Sequence, residues 1–139
     1  TSGGDVIGAW GNMYSMIDQC NRIIPNIDRV PAANAFETGR KSIIRANLLA
    51  LRATGHFELL RWYARPFTAN DPLGVPVMTT SSLDGQPARN TVGETLAAIE
   101  ADYAQAVTLF PAVTPATFSD TVLNQINVKG LQARVALYK

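Results

Sequence analysis

Apolar residues recur at intervals of three and four along most of this chain, which is the spacing of amphipathic α-helices. The segment 44–63 is apolar on two faces. One stripe comprises Ile44, Leu48, Leu51, Gly55, Leu59 and Trp62, and the other comprises Ala46, Leu49, Ala53, Phe57 and Leu60. Because a surface helix needs only one apolar stripe, the pattern predicts a central helix packed between other elements. Gly55 predicts a close approach by a neighbouring helix, since glycine costs about 1 kcal/mol relative to alanine in a helix interior.

Two helices are predicted in the first half of the chain. The first covers residues 5–28, with Asp5 as its N-cap and with Pro25 ending or kinking it before a short turn. The second carries the two stripes. It begins between residues 34 and 38 and ends at Tyr63 or Ala64, just before a proline.

Two more helices are predicted in the second half. Thr91 and Glu94 match a capping box, in which each residue satisfies a free backbone N–H of the other, so a third helix begins there. Its apolar stripe continues to Phe110, and Pro111 ends it. The last helix begins near residues 124–127, with Asn127 as its N-cap, and continues to the end of the chain.

The stretch 65–90 has no periodicity and is punctuated by prolines and glycines. Structureless connections rarely exceed about 12 to 15 residues, and longer ones are often functional, so this loop is a candidate surface. Residues 73–78 are expected to form a short extended piece within it. The expected fold class is all-α, with stacked antiparallel helix pairs separated by a long loop at about 65–90.

Composition narrows the possible classes of function. The 139 residues fit one domain, and a net charge of +1 gives no electrostatic argument for a nucleic-acid partner. The single cysteine, Cys20, excludes an internal disulfide, and no apolar run is long enough to span a membrane. Residues 131–139 are helical without any C-terminal signal. We therefore expect residues 1–139 to be a single helical domain, as a fragment of a larger chain.

The sequence carries no pattern of catalytic or metal-binding residues. The lone histidine, His56, lies inside the central helix, where a packed or hydrogen-bonded role is expected. There is no zinc-ligand set, nucleophile elbow or phosphate-binding loop, and the carboxylates are scattered. Neither a metal, a cofactor nor an enzymatic activity is predicted.

Aromatic residues are the remaining candidates for ligand contact. Tyr14, Phe57 and Tyr103 stand at helical spacing and are expected in the core. The spacing does not assign two other groups to the core: Trp10, near the start of the first helix, and the segment 62–67, at the start of the long loop.

Several local patterns, taken in order along the chain, resemble the SusD/RagB-like family of outer-membrane glycan-binding lipoproteins. Residues 10–24 are similar to that family's W-x-x-x-Y-x-x-I-x-x-C/A-N-x-I-I helix. Residues 51–63 and 71–76 resemble its LRA-x-x-YF-x-L-x-R-x-YG segment and D-x-x-GVP loop. Residues 89–111 and 133–138 resemble its R-x-TV-x-E-x-x-x-x-I-x-x-D and ARV-x-LY helices.

The match departs from the family pattern at a few positions. His56 replaces a usual tyrosine, Ala64 and Arg65 stand where a glycine is common, and Ala136 replaces a frequent tyrosine. None of these residues would disturb a helix, so the departures bear on surface detail rather than on the fold.

The resemblance implies the tetratricopeptide-like helical portion of a larger, non-enzymatic protein that binds and imports oligosaccharides. Such proteins are held at the cell outer membrane by a lipidated cysteine and cap a TonB-dependent transporter of the SusC type. Cys20 is not that anchor, because it lies within a predicted helix. Much of the glycan site belongs to the remaining part of such chains. Within this segment, Trp10 and Asn12, at the exposed start of the first helix, are the predicted carbohydrate contacts.

Two other classes stay open from the residues alone. A helical-repeat adaptor would bind a peptide or protein in a groove between its helix pairs, with no sugar and no transporter. A small helical enzyme would need a buried carboxylate pair, or His56 facing a pocket.

Overall fold

The computed structural model describes residues 3–64, 73–82, 85–114 and 122–139. Within these ranges the regular structure consists of four helices, α1 (Gly3–Ile27), α2 (Ala35–Tyr63), α3 (Val92–Leu109) and α4 (Gln125–Ala136). Helix α2 contacts the other three, and α4 packs mainly on α3. The predicted all-α fold, with α2 at its centre, is confirmed. Within the described ranges, no helix is long and apolar enough to cross a membrane.

The two apolar stripes of α2 have different surroundings. The second stripe, from Ala46 to Leu60, is buried throughout. The first stripe is buried at Gly55 and Leu59, whereas Ile44, Leu51 and Trp62 are exposed. Helix α1 therefore covers only part of this face, and the prediction of a fully sandwiched helix is correct for one stripe alone.

Close packing at Gly55 is confirmed. A Cβ atom added there would lie 2.7 Å from Met16 Cε and 3.0 Å from Ile17 Cγ1, both on α1. The missing side chain lets the two helix backbones approach, which is the reason for glycine at this position.

Side chains cap the starts of α3 and α4, and two of the predicted N-caps were wrong. The capping box of Thr91 and Glu94 is present. In α4 the N-cap is Asn124, and Asn127 is its capping-box partner three residues on, so the prediction of Asn127 as N-cap was wrong. Asp5 is likewise not the N-cap of α1. The helix begins at Gly3 and places Asp5 in its first turn, where the positive end of the helix dipole stabilises a carboxylate.

Arg52 of α2 lies at the centre of a buried polar network. Its Nε and Nη2 atoms each donate to one carboxylate oxygen of Asp102 on α3, both at 2.7 Å. Its Nη1 atom donates to Asn21 Oδ1 on α1 at 2.8 Å and to the Thr79 carbonyl at 3.3 Å. Three helices and the segment 73–82 thus meet at one guanidinium group.

The described parts of the long loop, residues 73–82 and 85–90, contain neither helix nor strand, as predicted; residues 65–72 and 83–84 lie outside the described ranges. In the expected extended piece, Gly74 and Val75 form backbone hydrogen bonds with Asn90. Gly74 N donates to the Asn90 carbonyl at 2.7 Å, and Asn90 N donates to the Val75 carbonyl at 3.4 Å. Asn90 Oδ1 also accepts from Val77 N at 2.9 Å.

Side chains of α1 and α2 hold the next part of this segment. Asn21 Nδ2 donates to the Met78 carbonyl at 2.9 Å. His56 Nε2 accepts from Met78 N at 3.0 Å, while His56 Nδ1 lies 3.0 Å from the Arg52 carbonyl. Since a carbonyl can only accept, Nδ1 carries the proton and Nε2 is free of it. His56 is therefore a hydrogen-bonded structural residue, as the sequence predicted.

We expect Arg52→Met to cost about 3 kcal/mol or more of unfolding free energy, because it leaves the Asp102 carboxylate without a cation in a largely buried position. The side chains of this pair are only 9% and 13% exposed. Arg45→Met is the matched control, since the Arg45–Asp28 pair is 27% and 69% exposed and should contribute less than about 1 kcal/mol. Urea unfolding of the intact protein measures both losses, and losses of equal size would contradict the assigned role of Arg52.

We also expect stability to fall between pH 7 and pH 5 because of His56. Burial lowers the pKa of His56 from 6.5 to about 4, so the folded protein holds it neutral while the unfolded chain protonates it. The contribution is complete above pH 6.5 and is lost as the pH falls towards 4, which amounts to about 2 kcal/mol between pH 7 and pH 5.

The control for this prediction is His56→Gln, whose side-chain oxygen can still accept from Met78 N but does not titrate. His56 is the only histidine in the chain, so the loss between pH 7 and pH 5 should shrink markedly in the variant. An unchanged loss in urea unfolding would show that His56 does not cause it.

Candidate functional site

A groove of about 460 Å³ lies between α1 and the loop segment described above. One wall comes from α1 and consists of Trp10, Gly11, Tyr14, Asp18 and Asn21. The opposite wall comes from the loop and consists of Pro76, Met78, Thr80, Ser82, Gly85 and Pro87. The α1 residues recur mostly at steps of three and four, which places them on one face of the helix.

Aromatic rings form one end of the groove. The centroid of the Trp10 ring lies 5.0 Å from that of the Tyr14 ring and 4.7 Å from that of the Tyr63 ring. The rings of Trp10 and Tyr63 are nearly perpendicular. Edge-to-face and tilted ring pairs of this kind are favourable and limit the movement of each ring. Trp10 is half-buried, so packing on Tyr14 and Tyr63 holds it while part of its surface remains accessible at the groove.

The polar groups of the α1 wall are bonded within the protein. Tyr14 OH donates to the Pro76 carbonyl at 2.8 Å, and burial raises the pKa of this phenol above its ordinary value, partly opposed by Arg89. Tyr14 is therefore a neutral hydrogen-bond donor over the physiological range. Asn21 connects the Met78 carbonyl to Arg52.

Among the described lining residues Asp18 is the charged one, and both of its carboxylate oxygens are engaged. Oδ1 accepts from Ser81 Oγ at 2.6 Å, and Oδ2 pairs with Arg22 Nε at 2.7 Å. Among the described lining residues there is no unpaired charge. The groove presents aromatic and apolar surface, with the exposed residues Thr80 and Ser82 on the loop wall, an arrangement suited to binding rather than to proton transfer.

The two predicted contact residues occupy different positions. Trp10 lines the groove, whereas Asn12 is exposed and is not part of the lining. Side chains two residues apart on a helix are rotated by about 200° around the helix axis, so Trp10 and Asn12 cannot both face one groove. The assignment of sugar contact to either residue remains a prediction.

The helical spacing correctly predicted which other aromatic side chains are buried in the core, with one exception. Phe57 and Tyr103 are buried in the core, as expected. Tyr14 is only partly buried, because its ring also forms the groove wall. Trp62 is 73% exposed and lies off the groove, and Phe67 is outside the described residues.

Sequence reasoning identified the long loop as a candidate surface, but it did not identify Asp18 or Asn21 as parts of a site. The spacing of Trp10, Tyr14, Asp18 and Asn21 along one face of α1 was the available signal. It could not be interpreted alone, because the same face would be core if a helix instead of an irregular segment lay against it.

Comparisons with solved structures place the fold among proteins from Bacteroides. A protein from Bacteroides vulgatus whose name assigns it to sugar binding is 32% identical, with a TM-score of 0.81 over 94% of this chain and 29% of its own. A SusD superfamily protein from Bacteroides thetaiotaomicron is 26% identical, with a TM-score of 0.80 over 93% of this chain and 28% of its own. This chain therefore spans less than a third of the length of these relatives.

A comparison with proteins of curated function gives no match. A SusD-like family described as "Starch-binding associating with outer membrane" matches residues 3–137, which is nearly the whole chain. With this match, and with the helical arrangement that the solved SusD superfamily structure shares, the chain belongs to the SusD-like family.

Proposed function

We propose that this chain is the helical scaffold of a non-enzymatic protein that binds oligosaccharides during their uptake at the outer membrane. The groove beside Trp10 is the observation that carries the proposal. Membership of a family described as starch-binding and associated with the outer membrane supports carbohydrate as the ligand class. It also favours this function over the alternative, a helical adaptor for a peptide or protein.

The chemistry of the groove suits a sugar ring. A pyranose has faces of C–H groups and a rim of hydroxyl groups. The faces pack on aromatic rings, whose π surface carries partial negative charge, and the hydroxyls exchange hydrogen bonds with polar groups nearby. Trp10 supplies the ring, and the exposed residues Thr80 and Ser82 carry hydroxyl groups on the opposite wall.

The size and construction of the groove are also appropriate. Its volume of about 460 Å³ lies within the range of about 300 to 1,000 Å³ typical of small-ligand sites. Hydrogen bonds from Tyr14 and Asn21 join the two walls, so the site is formed before a ligand arrives. A preformed site loses little conformational entropy on binding.

The same proposal includes the setting of the protein. Residues 1–139 would be one helical domain of a larger chain, and the rest of that chain would complete the glycan site. A lipid anchor outside this segment would hold the protein at the cell surface, with a TonB-dependent transporter of the SusC type as its partner. Recovery of a large β-barrel transporter on purification of the intact protein from outer membranes supports this setting, and recovery of a soluble partner instead argues for the adaptor.

We expect Trp10→Ala to weaken binding of maltooligosaccharides to the intact protein by at least about tenfold, because it removes the aromatic surface of the groove. Isothermal titration gives the affinities. Trp62→Ala is the matched control: it removes the only other tryptophan, which is exposed and outside the groove, and should leave the affinity unchanged. Equal affinities for the wild type and Trp10→Ala would remove Trp10 from the site.

Fluorescence gives a second measurement on the same residues. In the intact protein, the difference in emission between Trp62→Phe and a variant that also carries Trp10→Phe isolates the emission of Trp10. Oligosaccharide should shift or quench that emission with the concentration dependence found by titration. Asn12→Ala in the same assay tests the other predicted contact: reduced affinity would extend the site around α1 beyond the groove.

A further inference from the structure

Asp18 occupies a particular position in the groove. It lies on the α1 wall, two helical turns from the aromatic end formed by Trp10. Its carboxylate accepts from Ser81 Oγ at 2.6 Å, and so ties the loop wall to α1 at that point. Asp18 therefore connects the walls and is, among the described lining residues, the charged group that a ligand in the groove would meet.

Within the part of the chain that the structure describes, Arg22 is the cation that pairs with Asp18. Arg22, one turn further along α1, pairs with it at 2.7 Å, and this guanidinium side chain is 57% exposed. Arg22 is held beside the groove but does not line it. Removal of the carboxylate charge would leave this cation unbalanced next to the ligand.

Two other described cations, Arg52 and Arg89, are engaged by groups outside the groove. Arg52 pairs with Asp102 in the buried network. Arg89 donates from Nε to the Gly74 carbonyl at 2.7 Å and from Nη2 to the Tyr63 carbonyl at 3.2 Å, so it offsets the negative end of the α2 dipole. Neither residue lines the groove.

We propose that Asp18 determines the charge selectivity of the groove: paired with Arg22, it admits neutral sugars and disfavours sugars that carry carboxylate groups. The inference rests on the proposed function, because it assigns a substrate class to the same site. An acidic sugar would bring its carboxylate against that of Asp18, while Arg22, the exposed cation beside the groove in the described part of the chain, is already paired. A neutral sugar meets no such repulsion.

The informative variant is Asp18→Asn. Asparagine keeps the side-chain oxygen that accepts from Ser81 Oγ, so the connection between the walls is retained while the charge is lost and Arg22 is released. Binding of neutral maltooligosaccharides and of acidic oligogalacturonates to the intact protein is measured by titration. The quantity compared is the ratio of the affinity for acidic sugars to the affinity for neutral sugars.

We expect Asp18→Asn to raise this ratio about fivefold at low ionic strength. Two unit charges a few ångströms apart in water interact strongly enough to change an affinity by about that factor. The increase should shrink to about twofold in about 0.5 M salt, where the Debye length is only about 4 Å. A structural disturbance of the groove would not respond to salt in this way.

Two control variants separate the contribution of the released cation. Asp18→Asn combined with Arg22→Gln should give a ratio between those of the wild type and Asp18→Asn, because the released cation is removed while the repulsion by the Asp18 carboxylate stays absent. Asp28→Asn releases Arg45 from an exposed pair of the same kind, 2.6 Å apart and away from the groove, and should leave the ratio unchanged.

The outcomes distinguish this inference from the proposed function. If neutral oligosaccharides bind with dependence on Trp10 and the ratio is the same in wild type and Asp18→Asn, the role of Asp18 is refuted and the proposed function stands. Tighter binding of oligogalacturonates than of neutral sugars by the wild type also refutes it. If neither class of sugar binds with dependence on Trp10, the proposed function and this inference fail together.

Discussion

The guanidinium group of Arg52 joins parts of the chain that are far apart in sequence. It binds Asp102 on α3 through two parallel hydrogen bonds, Asn21 on α1, and the Thr79 carbonyl of the loop. A largely buried cation must be compensated, and each of its partners comes from a different element. The relative positions of α1, α2, α3 and the loop are therefore coupled, and the groove forms where α1 and the loop meet.

The groove illustrates how an irregular segment can serve as a rigid wall. Residues 73–82 contain no helix or strand, yet side chains from the helices bond their backbone groups one after another. His56 contributes because it is neutral and fixed in one tautomer, with a donor on one nitrogen and an acceptor on the other. These polar groups are used for structure, so aromatic surface and loop hydroxyls are what remain for a ligand.

Much of the fold could be predicted because local signals and packing agree. The capping box of Thr91 and Glu94 satisfies free backbone donors wherever the helix lies in space, so it identified the start of α3. Asn127 was misassigned because asparagine can serve as N-cap or as the returning side chain of a capping box, and both are present at α4. The start of α1 was missed because the two glycines before Asp5 carry no helical signal.

The candidate site could be predicted only in part. The sequence alone determined four helices, a long loop, a central helix with a close contact at Gly55, and a structural role for His56. These follow from periodicity, from capping and from the absence of partner residues for catalysis or metal binding. Only the tertiary structure decided which face of α1 meets the loop, and hence that Trp10 lines a groove and Asn12 does not. That choice depends on long-range hydrogen bonds such as those of Tyr14 and Asn21, whose partners are backbone carbonyls about 60 residues away and leave no trace in the residue pattern.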